Sequence, residues 1–482
     1  MKQTVTIDIG TTRVKLACFN QQGERLASVT RPTPTFADKW GPVYDIDMLK
    51  TIVVSFIQCL EDEHRRAIER IAIAGVGESG GLVGPDLQQY SPMIVWYDNR
   101  GSALIEGLSA DERVRIYNVT GLPANANYAL SKIRWAMDNV RSLPHDLKWL
   151  NVSEFLAAYM TGVRRAEYSL ASRTMALDLR AAAWAPEICE IMGVDAALLP
   201  DLMPATQGVP VSQAFAREAG LSANAEVHVA GHDHMVGSVG AGLGLGELLN
   251  STGTTEGLLM LREEPSLDAT STGRSSLANG IACDGKLYTL FASIPTGGSV
   301  FMTLQRMLAM TESSLQRCLT RLDQAYISDE VDITSMPIVV PHFRGSPPPE
   351  KNAKARAVMA NLDSEVSAND IVFGCFLGLA VQFSNVLSLF EQQPTVIKVI
   401  GPASQNNLWL HLKADLLGTN LSVSKFSEVV SRGAQALASG ETCGWAGCSP
   451  RTIEWDERRH QVLNEWLSSA RSELSKLGAL AW

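Results

Sequence analysis

Apolar and polar residues alternate with a period of two at the start of the chain. The segments 5-VTIDI-9, 13-RVKLACF-19 and 24-ERLASVT-30 are separated by 10-GTT-12 and 20-NQQG-23. Period two predicts strands, and Gly-containing turns predict hairpins, so the opening reads as a three-stranded meander with a tip at Gly10-Thr11-Thr12. The period then changes. Leu49, Ile52, Val53, Phe56 and Leu60 share one helical face, which predicts a helix over 47–63. A short strand, 71-IAIAGV-76, follows, and 92-PMIVW-96 also has a strand-like pattern. Helices are predicted over 130–139 and 146–160, the second ending at Thr161-Gly162, with Pro-containing loops near Pro200, Pro204 and Pro210.

Near the midpoint the opening pattern recurs. The stretch 248-LLNSTGTTEGLLML-261 again reads strand, GTT, strand, about half the chain after the first tip. Strand 396-VIKVIG-401 and helices over 408–417, 428–439 and 457–477 complete the second half. The pattern predicts an α/β protein of two similar domains, with boundaries at 1–245 and 246–482.

Composition narrows the class. The chain has 482 residues, 46% hydrophobic and 19% charged, enough to build two sizeable cores. A net charge of −10 argues against a nucleic-acid partner, which requires a basic face. The eight cysteines are scattered without a CxxC pair, as expected of free thiols in a reducing compartment. The N-terminus has no apolar signal segment, and no run suggests a membrane span. The expectation is a cytoplasmic protein with no membrane partner.

Three segments carry candidate chemistry. A Gly turn exposes backbone N–H groups and flanking Thr hydroxyls add donors, so each GTT tip is either a phosphate cradle or an ordinary hairpin turn. Asp8 precedes the first tip and could hold water around Mg²⁺; Lys15 lies on the returning strand. In 96-WYDNR-100, Trp96 could serve as a platform and Asp98 and Arg100 could bind polyol hydroxyls, or the pair could be a solvated turn. In 231-GHDHMVGSVGAG-242, Asp233 ends a strand and precedes a small-residue run. It is placed to cap a helix, to accept a proton from a hydroxyl, or both. His232 and His234 could form a metal clasp, although no third ligand lies nearby in sequence.

These segments, with 132-KIRWAMDN-139, 167-EYSLASRTMALD-178, 341-PHFRGSPPP-349, 401-GPASQNNLW-409, 413-KADLLG-418 and 432-RGAQALA-438, resemble the FGGY carbohydrate kinases in family order. That family includes xylulose, gluconate, ribulose and glycerol kinases. The resemblance implies an actin-like ATPase fold of two ribonuclease-H-like domains around a cleft. It implies ATP-dependent phosphorylation of a sugar hydroxyl, with magnesium. Asp233 matches the family's catalytic base and Asp8 its magnesium-side acid; Asp233 is also a magnesium candidate. Gly10, Thr11, Thr12 and Lys15 match one phosphate site, and Gly253, Thr254 and Thr255 the other. Gly297, Gly401, Ala403 and Asn406 fall on the nucleotide side. Glu78, Ser79, Trp96, Asp98, Arg100, Asn127 and His234 fall on the substrate side. The expected partners are a small sugar and ATP, with a homodimer left open.

Three departures from the family pattern bear on substrate or nucleotide choice. The stretch 77-GESGG-81 replaces a bulkier sugar-lining G-Q-M-H-G, and Glu78 points either inward or to solvent. Pro402 stands where a second adenine-loop Gly is usual, removing an N–H. His232 and His234 replace Gly and an amide residue. A ketopentose such as xylulose is the expected acceptor. A gluconate-like acid or a four-carbon sugar is the alternative, and a non-catalytic sugar sensor is the alternative of another class.

Overall fold

A computed structural model of the chain describes residues 2–140, 145–268, 276–283 and 285–478. Two large sheets organise it. The first contains β1 (Gln3–Ile9), β2 (Arg13–Phe19), β3 (Arg25–Pro32), β4 (Ile68–Gly75), β5 (Val209–Pro210) and β6 (Glu226–His232), in the order β5-β6-β4-β1-β2-β3. β1, β2 and β3 form the antiparallel meander, and β4 and β6 are added parallel to β1. β1 is buried along its whole length because helices cover both faces of the sheet.

The second sheet repeats this plan. β7 (Leu248–Thr252), β8 (Glu256–Arg262), β9 (Ala278–Ile281), β10 (Tyr288–Ile294), β11 (Ile397–Ile400), β12 (Leu421–Val423) and β13 (Arg451–Ile453) run in the order β9-β10-β8-β7-β11-β12-β13. β7, β8 and β10 are antiparallel, and β11 and β12 are added parallel to β7. The order β3-β2-β1-β4-β6 therefore corresponds strand for strand to β10-β8-β7-β11-β12. Each half places its GTT tip between the first two strands.

Among the helices, α1 (Ile46–Cys59) ends before a separate turn at Asp62–Arg66, because Leu60 is extended. α2 (Ala129–Asn139) matches its expected span. The helix expected over 146–160 starts later. Lys148–Leu150 is a short strand paired with Gly81–Val83, and α3 (Val152–Thr161) begins at a capping box formed by Asn151 and Glu154. The segment 92–96 is not a strand; only Ile94 bridges, to Val43 and Gly80, since Pro92 has no N–H to donate. α4 (Asp233–Gly240) follows β6 directly.

The second half adds α5 (Ala368–Leu387), α6 (Asn407–Leu417), α7 (Val429–Ser439) and α8 (Glu457–Lys476). α5 corrects the expectation that nothing resembles a membrane span. It is long and apolar enough to cross a membrane, yet 78% of its most apolar stretch is buried inside the protein.

The halves meet where α4 crosses α7. A methyl group on Gly240 would overlap the Val429 carbonyl oxygen, and one on Gly433 would overlap that of Val236. The helices thus approach to backbone contact. Gly240→Ala is expected to destabilise the protein by about 1–3 kcal/mol in urea unfolding, the usual cost of overpacking. Gly444→Ala, where a methyl group meets nothing, serves as the near-neutral control. Equal midpoints for the two variants would contradict the close crossing.

Candidate active site

Asp233 is the first residue of α4, at the C-terminal end of β6. The helix N-terminus favours its negative charge. His232 Nδ1 lies 3.0 Å from Asp233 Oδ1, and the His234 N–H donates to the same oxygen at 2.7 Å. Burial alone would raise this carboxyl. The His234 and His232 rings and these contacts outweigh burial and pull it down to about 2, so Asp233 is a carboxylate at any neutral pH. His234 Nδ1 bonds Ser251 Oγ at 2.7 Å, and its ring stacks 5.5 Å from that of His232. The two rings thus have different partners, Asp233 and Ser251, and the His234 N–H also donates to His232 Nδ1 at 3.2 Å. No group of three metal-ligating side chains occurs among the described residues.

Asp233 faces a cavity of about 420 Å³ between the halves. Thr11 of the first tip and Thr255 of the second both line it. The Trp96 indole N–H donates to Thr11 Oγ1 at 3.0 Å, joining the 96–100 segment to the first tip. The second tip is held by Gly297 and Gly298, whose N–H groups donate to Thr254 O and Gly253 O at 3.3 and 2.8 Å. Around this turn, Thr296 Oγ1, Ser299 Oγ and Asn406 Nδ2 are buried without hydrogen-bond partners. Gly401 has φ +99° against the Thr252 backbone, a conformation suited to glycine. Pro402 opens a short 3₁₀ turn over Pro402–Gln405, at a first-turn position where its missing N–H breaks no bond. Ala403 is buried, and Asn406 caps α6.

Asp8 lies opposite Lys15 in the β1–β2 ladder. Burial raises its carboxyl to about 7; Lys15 opposes the shift, and Asp233 and Glu428 add to it. The Lys15 ammonium is engaged by Glu428 at 3.3 Å and does not line the cavity. A lysine opposite one buried acid and beside another is drawn to the acids already present.

The substrate-side candidates divide. Glu78, Trp96, Asn127 and His234 line the cavity. Asp98, Arg100 and Ser79 do not. Arg100 makes a two-pronged pair with Asp98, at 2.9 and 2.7 Å, and both side chains are buried. Burial contradicts the solvated-pair reading of 96-WYDNR-100, and of the segment Trp96 lines the cavity. Ser79 is buried and turned to the Tyr44 hydroxyl at 3.5 Å. Glu78 points inward, at φ +56°, and its Oε1 accepts from Arg173 Nε at 2.8 Å. Burial would raise Glu78, but Arg173, His232 and Lys132 hold it below the usual carboxylate range.

Sequence reasoning missed Arg173, Tyr128, Asn125 and Phe291 on the cavity wall, and Lys351 at its rim. Arg173 lay inside the quoted 167–178 motif, as its variable position. Lys132 was quoted as well, but its task shows only in three dimensions. It is fully buried and its ammonium donates to the carbonyls of Glu78 at 3.2 Å, Trp96 at 3.0 Å and Asn127. One side chain thereby ties together three wall segments.

Two hairpin tips from like-folded sheets, facing a carboxylate across a half-open cavity, define a class: a phosphoryl-transfer enzyme. The comparisons with known proteins agree with that class. The model of the N-terminal domain of the FGGY family of carbohydrate kinases matches residues 3–240, and that of its C-terminal domain matches 248–440. The chain belongs to the FGGY family of carbohydrate kinases, phosphotransferases that act on alcohol groups, and has their actin-like ATPase fold. It is 27% identical over 464 residues to a glycerol kinase of Streptococcus pyogenes serotype M28, covering 91% of this chain and 87% of that protein. Two solved structures from Lactobacillus acidophilus share its fold at 18% identity: a xylulose kinase (TM-score 0.84) and a gluconate kinase (TM-score 0.85). Each covers 100% of this chain and is itself 99% covered.

Behind β6 lies a pair of buried acids. Glu167 Oε2 accepts from Ser169 Oγ at 2.5 Å and from the Ser169 and Leu170 N–H groups, while Oε1 has no partner. Ser169 Oγ in turn accepts the His232 N–H at 2.9 Å. Glu154 Oε1 accepts the Glu167 N–H at 3.0 Å. Burial pushes Glu167 up to about 8 and Glu154 up to about 7. A raised carboxyl binds a proton in the folded state that the unfolded chain sheds at lower pH. Its stabilising contribution is complete below the ordinary carboxylate range and is lost as pH rises through about 8. The thermal midpoint should therefore fall between about pH 6 and about pH 9, and fall less in Glu167→Gln, which carries no ionisable proton. Identical slopes would show that Glu167 is ionised in the fold.

Proposed function

We propose that this chain transfers the γ-phosphoryl group of ATP to a hydroxyl of a small sugar, with Asp233 as the base. The observation that carries the reading is that Thr11, Thr255 and Asp233 line one cavity between the two halves. The acceptor hydroxyl would lie beside Asp233 and the γ-phosphate between the tips. The hydroxyl oxygen forms the new bond to phosphorus while the bond from phosphorus to the ADP oxygen breaks. The hydroxyl proton passes to Asp233, and ADP leaves with the bridging oxygen. Phosphoryl transfer depends on positioning and charge neutralisation, so a weakly basic carboxylate suffices to collect the proton late in the reaction.

Magnesium would fit beside Asp233, where acidic groups gather. Asp8, Asp233 and Glu428 bear on one another with Lys15 as the opposing charge, and Asp8 is a buried carboxyl that gains from a further cation. Asp8 and Asp233 would hold the ion directly or through water, and when bound it would neutralise charge on the phosphates. The unpaired donors of Thr296, Ser299 and Asn406 would meet the nucleotide.

Glycerol, xylulose and gluconate, named for three relatives, differ in size and charge, so likeness alone does not choose among them. A ketopentose such as xylulose, a sugar acid, and a four-carbon sugar or polyol are the competing acceptors, and the charge on the cavity wall bears on the choice.

The test is ADP release against a panel of ketoses, polyols and sugar acids. The wild type should release ADP only with an acceptor present. Asp233→Asn should lose about 10²–10⁴ in turnover while still binding ATP. Retention of most activity by that variant would remove Asp233 from the role of base.

A further inference from the structure

One end of the cavity carries more positive charge than its own residues neutralise. Arg173 is buried, with 5% of its surface exposed; its Nε is spent on Glu78, and the Tyr128 hydroxyl accepts from the guanidinium as well. Its Nη1 is buried without a hydrogen-bond partner. The guanidinium is flanked by the rings of Tyr128 and Phe291, 5.2 and 5.6 Å from their centres, which fix its plane. Lys351 reaches the same cavity from the other half of the chain. It makes no hydrogen bond or ion pair among the described residues, and the charges that bear on it are Arg173 and Glu78.

Glu78 cannot satisfy both cations. It is already paired with Arg173 and lies 3.9 Å from His232 Nε2. A neutral sugar would find partners in Glu78, Asn125 and Asn127 but would leave Lys351 and Arg173 Nη1 uncompensated. A carboxylate would supply acceptors for both, in the planar geometry that a guanidinium prefers. The phosphates of ATP are not the natural counter-charge. Burial and then Arg173 lower the Lys351 ammonium while Glu78 favours it, whereas Lys15, opposite Asp8, is held by Glu428.

We propose that Arg173 and Lys351 form an anion-reading end of the acceptor site, and that the acceptor is a sugar acid whose carboxylate lies between them while a hydroxyl faces Asp233. The proposal rests on the kinase reading above and refines its substrate. Arg173 and Asp233 are separated along the wall by the Glu78 carboxylate and the His232 ring, so carboxylate and reacting hydroxyl would stand several carbons apart. Closure of the halves would bring Lys351 onto the carboxylate, so the acid itself would help to hold the cleft shut.

The experiment compares kcat/KM, by ADP release, for neutral ketopentoses and polyols, for tetronates, pentonates and hexonates, and for sugar monophosphates. The best sugar acid is expected to exceed the best neutral acceptor by about tenfold or more. Lys351→Met, a change at the exposed rim with little risk to folding, should raise KM for that acid by about tenfold and leave KM for ATP unmoved. Lys351→Arg should recover part of the loss. Preference for a neutral sugar or for a sugar phosphate overturns the inference while the kinase reading stands. So does a Lys351→Met variant whose KM rises for ATP and not for the acid. Absence of ADP release with every acceptor, from protein that binds ATP, overturns the kinase reading and the inference together.

Discussion

The contact on which the molecule depends is the crossing of α4 and α7 at Gly240 and Gly433. No side chain separates the two backbones there. α7 belongs in sequence to the second half, yet it also packs on β1, β4 and β6 of the first sheet. α4 starts at Asp233, and Glu428, just before α7, reaches Lys15 beside the first tip. The same crossing therefore sets where the base stands and how near the two hairpins come. A bulkier residue at either glycine would push both helices apart and widen the cleft at its working end.

Charge in the cleft is arranged as a chain rather than as isolated pairs. Asp233, His232, Glu78 and Arg173 follow one another within contact distance, most of them well buried. Buried charges cost desolvation energy, and breaking one partner of such a set costs more than the set contributes. The fold accepts this cost where the chemistry is and adds Lys132 to hold the wall. In the second half a comparable set, Lys413 with Glu256 and Asn250, is sealed entirely in the core and steadies β8 just after the second tip.

Much of the architecture was legible in the sequence because it is local. The hairpins follow from alternation and Gly turns, and the repeated GTT context points to two matching halves. The placement of Asp233 at a strand end before a helix was equally local. What the sequence obscured is decided by distant partners. Lys15 could not be assigned without knowing that Glu428 lies beside it. Asp98 and Arg100 read equally well as ligands or as a solvated turn until burial joined them to each other. Ser79 turns away toward Tyr44. Arg173 and Lys351 come from opposite halves, so no spacing rule links them. The strand at Lys148–Leu150 was absorbed into a helix because its pairing partner, Gly81–Val83, lies far back in the chain.

α5 has a consequence for how the chain is made. Its Phe373, Phe376, Leu377 and Val381 share a core with Leu408 and Trp409 of α6 and with Leu463, Trp466 and Leu474 of α8. Upstream residues cover part of it, with the Phe301 ring 5.4 Å from Phe376 and the Tyr326 ring 5.8 Å from Phe373, but α6 and α8 lie downstream. A twenty-residue apolar helix therefore leaves the ribosome before all of its cover has been synthesised. During that interval it resembles, by length and composition, a segment bound for a membrane. The first half can complete its own sheet by then, but the second cannot finish burying this helix until α6 has emerged and packed along it. α8 then packs on α6 and completes the same core.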